Sequence, residues 1–184
     1  MAGPRMKFKN LVNFILLQLV WVGFIVGITF DQMWLGPIIF IVLMVWQLRS
    51  DVREGSDFVV ISCSFISGFV LASIWSSSGL IEFKEHWPSP DIAPWWILAL
   101  WIALGASFNH SLKWVQASPY LAGAVLAIGG PLSYLAAERI GAIEINTPVL
   151  TLSLMAAGWF TIGFLLTIIV KKYRLFEKWW IADA

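Results

Sequence analysis

Six apolar runs, each bounded by charge or by Pro and Gly, constrain this chain more than any other feature of it. They extend approximately from Leu11 to Phe30, Trp34 to Leu48, Phe58 to Ile81, Pro94 to Trp114, Tyr120 to Ala137 and Thr147 to Val170. A helix crossing a bilayer needs about 20 mainly apolar residues, and in hydrocarbon every backbone N–H and C=O must find a partner within the protein. The runs are too long to be the alternating strands of a membrane barrel, so they predict helices. The expected fold is all-α: a polytopic membrane protein with six transmembrane helices, residues 1–184 forming one integral domain. Composition agrees, because 59% apolar and 12% charged residues, with a mean hydropathy of +0.81, leave too few polar side chains to cover a water-facing globule of 184 residues. The second run is the shortest and begins near Pro37, which a first helical turn tolerates because its N–H has no intrahelical acceptor.

Basic residues set the expected orientation. Arg5, Lys7, Lys9, Arg49, Arg53, Lys113, Lys171, Lys172, Arg174 and Lys178 fall on one side of the predicted spans and only Lys84 and Arg139 on the other, which places both termini in the cytoplasm. The N-terminal stretch begins like a secretory signal but is too long and lacks a small-x-small cleavage site, so it reads as an uncleaved first helix. Trp34, Trp46, Trp75, Trp87, Trp95, Trp96, Trp114, Trp179 and Trp180 lie at or near span ends, as an interfacial aromatic belt would place them. Residues 171–184 form a basic and aromatic tail. Leu175, Phe176, Trp179 and Trp180 share a helical face there while Lys171, Arg174 and Lys178 stay polar, which predicts an interfacial helix favouring anionic lipid. The connecting segments, Asp31 to Met33, Arg49 to Asp57, Glu82 to Ala93, Val115 to Pro119 and Glu138 to Asn146, are too short to hold a folded domain. Function therefore belongs to the bundle, its polar rims or a partner.

Several chemistries drop out. A net charge of +1 excludes a strongly electrostatic nucleic-acid binder. There is no Walker loop, dinucleotide fingerprint, HExxH or CxxC, and Cys63 has no partner for a disulfide. The two histidines, His86 and His110, fall on opposite sides, which argues against a bis-histidine haem or metal site; no cofactor and no metal is expected. Ser107 and Ser111 flank His110 without a nearby orienting carboxylate, so no hydrolytic triad is expected either.

Polar residues inside apolar spans carry the rest. Asn109, His110 and Lys113 come at the cytoplasmic end of span four, with Asn13 of span one and Gln47 of span two at the same level. These five predict an inner-rim polar pocket at headgroup depth, suited to an anionic group, against a structural alternative in which Lys113 snorkels and the amides bond neighbouring helices. In span five, Gly129, Gly130 and Pro131 predict a kink or break, because proline removes a backbone hydrogen bond and crowds the preceding turn; Ser133 and Tyr134 would supply polar groups to a binding region there. Glu138 and Arg139 fall at the outer rim as an ion pair or solvated helix end, near Glu82, Glu85, His86, Asp91 and Glu144, whose spacing matches no metal motif. Small residues four apart in span three, Ser64, Gly68, Ala72 and Ser76, and the Gly23 and Gly27 pair of span one predict close helix packing.

Two stretches have a further resonance. Asn109-His110-Ser111-Leu112-Lys113-Trp114 and Gly129-Gly130-Pro131-Leu132-Ser133-Tyr134, the latter continuing to Gly141-Ala142, resemble an uncharacterised family of proteobacterial inner-membrane proteins, a domain of unknown function, over most of the chain. The resemblance implies a small multi-pass protein of the bacterial inner membrane without established activity, associated with genes for lipid-modifying methyltransferases of the cyclopropane-fatty-acid type. It implies a lipid context and a protein of lipid modification as partner, while the basic inner rim adds membrane lipids with anionic headgroups as expected partners. The leading expectation is thus an accessory or partner-binding factor in a lipid-related pathway. A small transporter or flippase-like protein using span five comes second, and a membrane-embedded lipid enzyme with His110 as its proton-transfer residue third.

Overall fold

The structure is a computed structural model that describes residues 4–182, with side chains described over 7–177. Six helices appear: α1 (Pro4–Thr29), α2 (Leu35–Gln47), α3 (Asp57–Ser77), α4 (Trp95–Phe108), α5 (Pro119–Ile140) and α6 (Pro148–Ala182). They associate as consecutive antiparallel hairpins, α1 with α2, α3 with α4, and α5 with α6. Four of them, α1, α3, α5 and α6, are long and apolar enough to cross a membrane. The other two are shorter than the apolar runs predict. At 13 and 14 residues, α2 and α4 rise only about 20 Å against a hydrocarbon core of about 30 Å. Helix α4 stops at Phe108 because polar side chains take over the exposed carbonyls: Gln116 Nε2 donates to the Phe108 carbonyl at 2.6 Å, and the chain continues through a turn into a short 3-10 helix, Lys113–Ala117.

Large apolar side chains cover the outside of the bundle. Ile38, Val45, Ile66, Ile128, Leu132 and Leu154 are all exposed, a surface that water would penalise and lipid tails do not. Inside, α4 is the pivot. Trp96, Trp101, Ala103, Ala106 and Phe108 are buried, and Trp101 stacks on Trp159 of α6 with ring centroids 4.3 Å apart and planes 10° from parallel. A glycine closes each face of this pair of indoles. A Cβ on Gly68 of α3 would lie 2.1 Å from Trp101 Cγ, and one on Gly130 of α5 would lie 2.4 Å from the Trp159 indole. Four helices are thereby clamped through two rings and two absent side chains. The small residues serve packing within the chain elsewhere too: Ser64, Gly68 and Ala72 are buried, Gly23 sits against Ile39 and Gly36 of α2, and Gly105 approaches the Ile61 backbone.

The tryptophans divide between two environments that the sequence treats alike. Trp34, Trp87 and Trp114 are exposed near helix ends, whereas Trp75 and Trp96 belong to the core. Proximity to a span end does not say which way a ring faces; Trp75 meets Tyr134 edge-on at 5.5 Å, and Trp96 meets Phe83 at 5.7 Å. The side chains of Arg5, Lys178, Trp179 and Trp180 lie outside the described residues.

Two segments expected to be plain loops pair instead. β1 (Ile81–Phe83) and β2 (Ile143–Ile145) form an antiparallel ribbon that joins the α3–α4 and α5–α6 connections. Their sequences, Ile-Glu-Phe and Ile-Glu-Ile, alternate with period two, so Ile81, Phe83, Ile143 and Ile145 are buried while Glu82 and Glu144 face out directly opposite each other. The helical bundle thus has a ribbon end and an opposite, basic end, where the α2–α3 and α4–α5 connections lie.

Of the kink or break expected in α5, a break is absent. The helix is continuous through Pro131, Gly130 and Pro131 are buried, and Ser133 Oγ donates back to the Gly130 carbonyl at 2.7 Å. Gly130 of this stretch packs against Trp159. Helix α6 is likewise unbroken for 35 residues, about 52 Å, which is longer than the hydrocarbon core is thick.

Candidate functional site

At the basic end the short helices and their connections converge on a buried polar network. Asp57, the first residue of α3, is fully buried and accepts from every side. Its Oδ1 takes Asn109 Nδ2 at 2.8 Å; its Oδ2 takes the Glu54 backbone N–H at 2.9 Å, His110 Nε2 at 2.9 Å and, more weakly, Gln47 Nε2 at 3.5 Å. Position explains the carboxylate locally: a negative charge at the start of a helix faces unpaired N–H groups and the positive end of the dipole.

The network extends both ways. Toward α1 and α2, Asn13 Nδ2 donates to Gln47 Oε1 at 2.7 Å, and Asn13 Oδ1 accepts from the Ser111 hydroxyl at 2.6 Å. Toward α6, Asn109 Oδ1 accepts from Gln116 Nε2 and from Arg174 Nη2, each at 3.2 Å, and Asn109 Nδ2 also donates to Ser56 Oγ at 3.0 Å. Arg174 spans the rim, donating through Nη1 to Gln116 Oε1 at 3.1 Å and through Nη2 to Glu54 Oε2 at 2.9 Å. Lys113 Nζ closes on Glu54 Oε1 at 2.6 Å. Two carboxylates, Asp57 and Glu54, thus face two fixed cations, Arg174 and Lys113, and the assembly is electrically neutral while His110 is neutral.

Of the residues singled out in the sequence, Asn13, Gln47, Asn109 and His110 come together inside this network, all buried, whereas Lys113 lies on the exposed rim and is engaged by Glu54. The orienting carboxylate that the sequence did not supply to His110 is Asp57, 53 positions away. It stands at the boundary between a charged connection and an apolar run, and its place at the same end as Asn109 and His110 was the available signal. Arg174 is the other omission: tail amphipathicity points it toward lipid headgroups, yet it reaches back to the bundle, as does Lys171, whose Nζ donates to the Ala117 carbonyl at 3.2 Å. A solvated cluster flanks the network, in which the Arg49 guanidinium and then the Lys9 ammonium hold the exposed Asp51 carboxyl below the usual carboxylate range.

Residues at the other candidate positions have local duties. Gly129 is open, Tyr134 packs in the core against Trp75, and Ser133 bonds its own helix. Glu138 Oε1 accepts from the Ile145 N–H at 3.0 Å and ties β2 to α5, while Arg139 makes no ion pair among the described residues. At the ribbon end Lys84 Nζ donates to the Thr29 carbonyl at 2.6 Å. Among the described residues no group of three or more His, Cys, Asp or Glu side chains is placed to hold a metal ion.

No curated protein and no solved structure matches the chain. A family model does, over residues 10–165, a stretch that contains Asn13, Gln47, Asp57, Asn109, His110 and Lys113 but ends before Arg174. Long apolar helices around a buried polar end, together with that match, make this an integral membrane protein that belongs to the DUF2878 family of proteins of unknown function.

Proposed function

We propose that the chain is a six-span protein of the bacterial inner membrane with both termini in the cytoplasm, and that its basic end engages anionic lipid headgroups of the inner leaflet. In this role it serves as an accessory or partner-binding factor in a lipid-related pathway. The observation that carries the proposal is the buried Asp57–His110 pair at the end of the bundle richest in Lys and Arg. Ionisable groups at membrane depth are costly, and a well-packed apolar substitute is often as stable as a buried ion pair, so their presence favours a use beyond holding helices together. Arg53, Lys171 and Lys172 at the same end add basic charge beyond the mutually paired Asp57, Glu54, Lys113 and Arg174, and that excess suits phosphate. A transporter working through span five has less support, since α5 is continuous and Gly130, Pro131 and Tyr134 are packed.

Orientation is tested by reporter fusions. Fusions after residues 31, 90 and 144 are expected to report the outside and fusions after 53, 117 and 184 the cytoplasm; an external C-terminus overturns the placement. The role of the network is tested by His110→Ala with two measurements on the same variant. Loss of the cellular role with membrane abundance and detergent melting nearly unchanged is the expected result, whereas a parallel fall of all three assigns His110 to structure alone.

A further inference from the structure

His110 is held through one ring nitrogen, which leaves the other for a second partner. A buried carboxylate only accepts hydrogen bonds, so the 2.9 Å contact with Asp57 Oδ2 requires a proton on Nε2, and whenever the ring is neutral its lone pair is on Nδ1. Nδ1 takes no hydrogen bond from a described residue, and the ring keeps 7% of its surface open. Asp57 cannot turn away from the ring, because Asn109 Nδ2 at 2.8 Å and the Glu54 N–H at 2.9 Å fix both of its oxygens. Around the pair, Lys113 and Arg174 both engage Glu54 and neither pairs with Asp57, whose charge lies directly against the imidazole.

We propose that Asp57 and His110 form a proton-transfer dyad in which His110 Nδ1 accepts the proton of a hydroxyl group presented at the basic end. The hydroxyl O–H bond breaks, its electron pair stays on oxygen, the proton forms the Nδ1–H bond, and the resulting imidazolium is held by the Asp57 carboxylate through Nε2–H; the reverse step returns the proton. Asp57 acts here as a positioning residue and as the counter-charge. The hydroxyl belongs either to water or to a headgroup alcohol, and only the second source rests on the proposed headgroup engagement.

The chain contains two histidines, so a His86→Gln protein isolates His110 for spectroscopy and chemical modification. In that full-length protein, labelled with 15N-histidine and reconstituted in phosphatidylcholine nanodiscs, the expected neutral form has its proton on Nε2 and an unprotonated Nδ1. Diethyl pyrocarbonate is expected to modify Nδ1 in the folded protein, and Asp57→Asn is expected to lower that rate about tenfold by weakening the base. A proton found on Nδ1, or a His110 that reacts only after unfolding in detergent, overturns the dyad even if Asp57→Asn fails to fold. Slower modification in phosphatidylglycerol than in phosphatidylcholine nanodiscs assigns the hydroxyl to the headgroup; equal rates with Nδ1 still reactive assign it to water. Equal rates also leave the dyad standing while counting against headgroup engagement, so the two readings fail separately.

Discussion

Gly68→Val is expected to destabilise the bundle by about 3 kcal/mol or more, at the upper end of what overpacking a membrane or soluble core costs. Even a methyl at this position falls 2.1 Å from Trp101 Cγ, and Trp101 cannot retreat because its other face is stacked 4.3 Å from Trp159. Trp159 in turn lies against Gly130, where a Cβ would meet its indole at 2.4 Å. Displacement must pass through both rings and reach α5, so the penalty extends over four helices. Thermal melting of purified protein in detergent checks this, with Gly129→Val as the control, since nothing lies within 4 Å of a Cβ built at Gly129. Trp101→Leu combined with Gly68→Ala should cost less than the sum of the two single changes, because the smaller side chain vacates the space the methyl needs. Simple additivity, or a Gly68→Val protein that melts with the parent, would contradict the clamp.

Removal of the Asp57 side chain is the second large effect. Asp57→Ala leaves the Asn109 amide, His110 Nε2–H and the Glu54 N–H without their shared acceptor, all at a place water reaches poorly. Breaking one partner out of a buried charged pair costs about 3–5 kcal/mol, more than loss of an ordinary hydrogen bond. Asp57→Asn is expected to cost less because its carbonyl oxygen still accepts, though only one of the two oxygens is replaced in kind. Asn13→Ala, which removes a neutral link at the edge of the network, should cost about 1–3 kcal/mol. Melting temperatures in the order parent, Asp57→Asn, Asp57→Ala are the expected outcome. An Asp57→Ala protein that melts with the parent would mean that the carboxylate does not organise this end.

Both substitutions act where distant segments meet, and that is where the amino-acid sequence stops being sufficient. The bilayer as solvent, the helical character of the apolar runs and the basic character of one end follow from residues summed along each run, because the cost of leaving peptide groups or charges in hydrocarbon is large and local. The inward placement of Asn13, Gln47, Asn109 and His110 follows for the same reason: polar groups at that depth need partners, and lipid offers none. Their partners do not follow. Which helix faces touch is decided by shape, here by Gly68 and Gly130 accepting Trp101 and Trp159, and that fit brings Asp57 to His110 across 53 positions and Arg174 to Asn109 across 65. The same packing puts Trp75 and Trp96 in the core and leaves Trp87 outside, joins β1 to β2 although each is only three residues long, and keeps α5 continuous past Pro131. Local composition determined what this protein dissolves in and which residues must turn inward; tertiary packing decided what they meet, because steric complementarity between helix faces is a property of pairs of elements and not of either one alone.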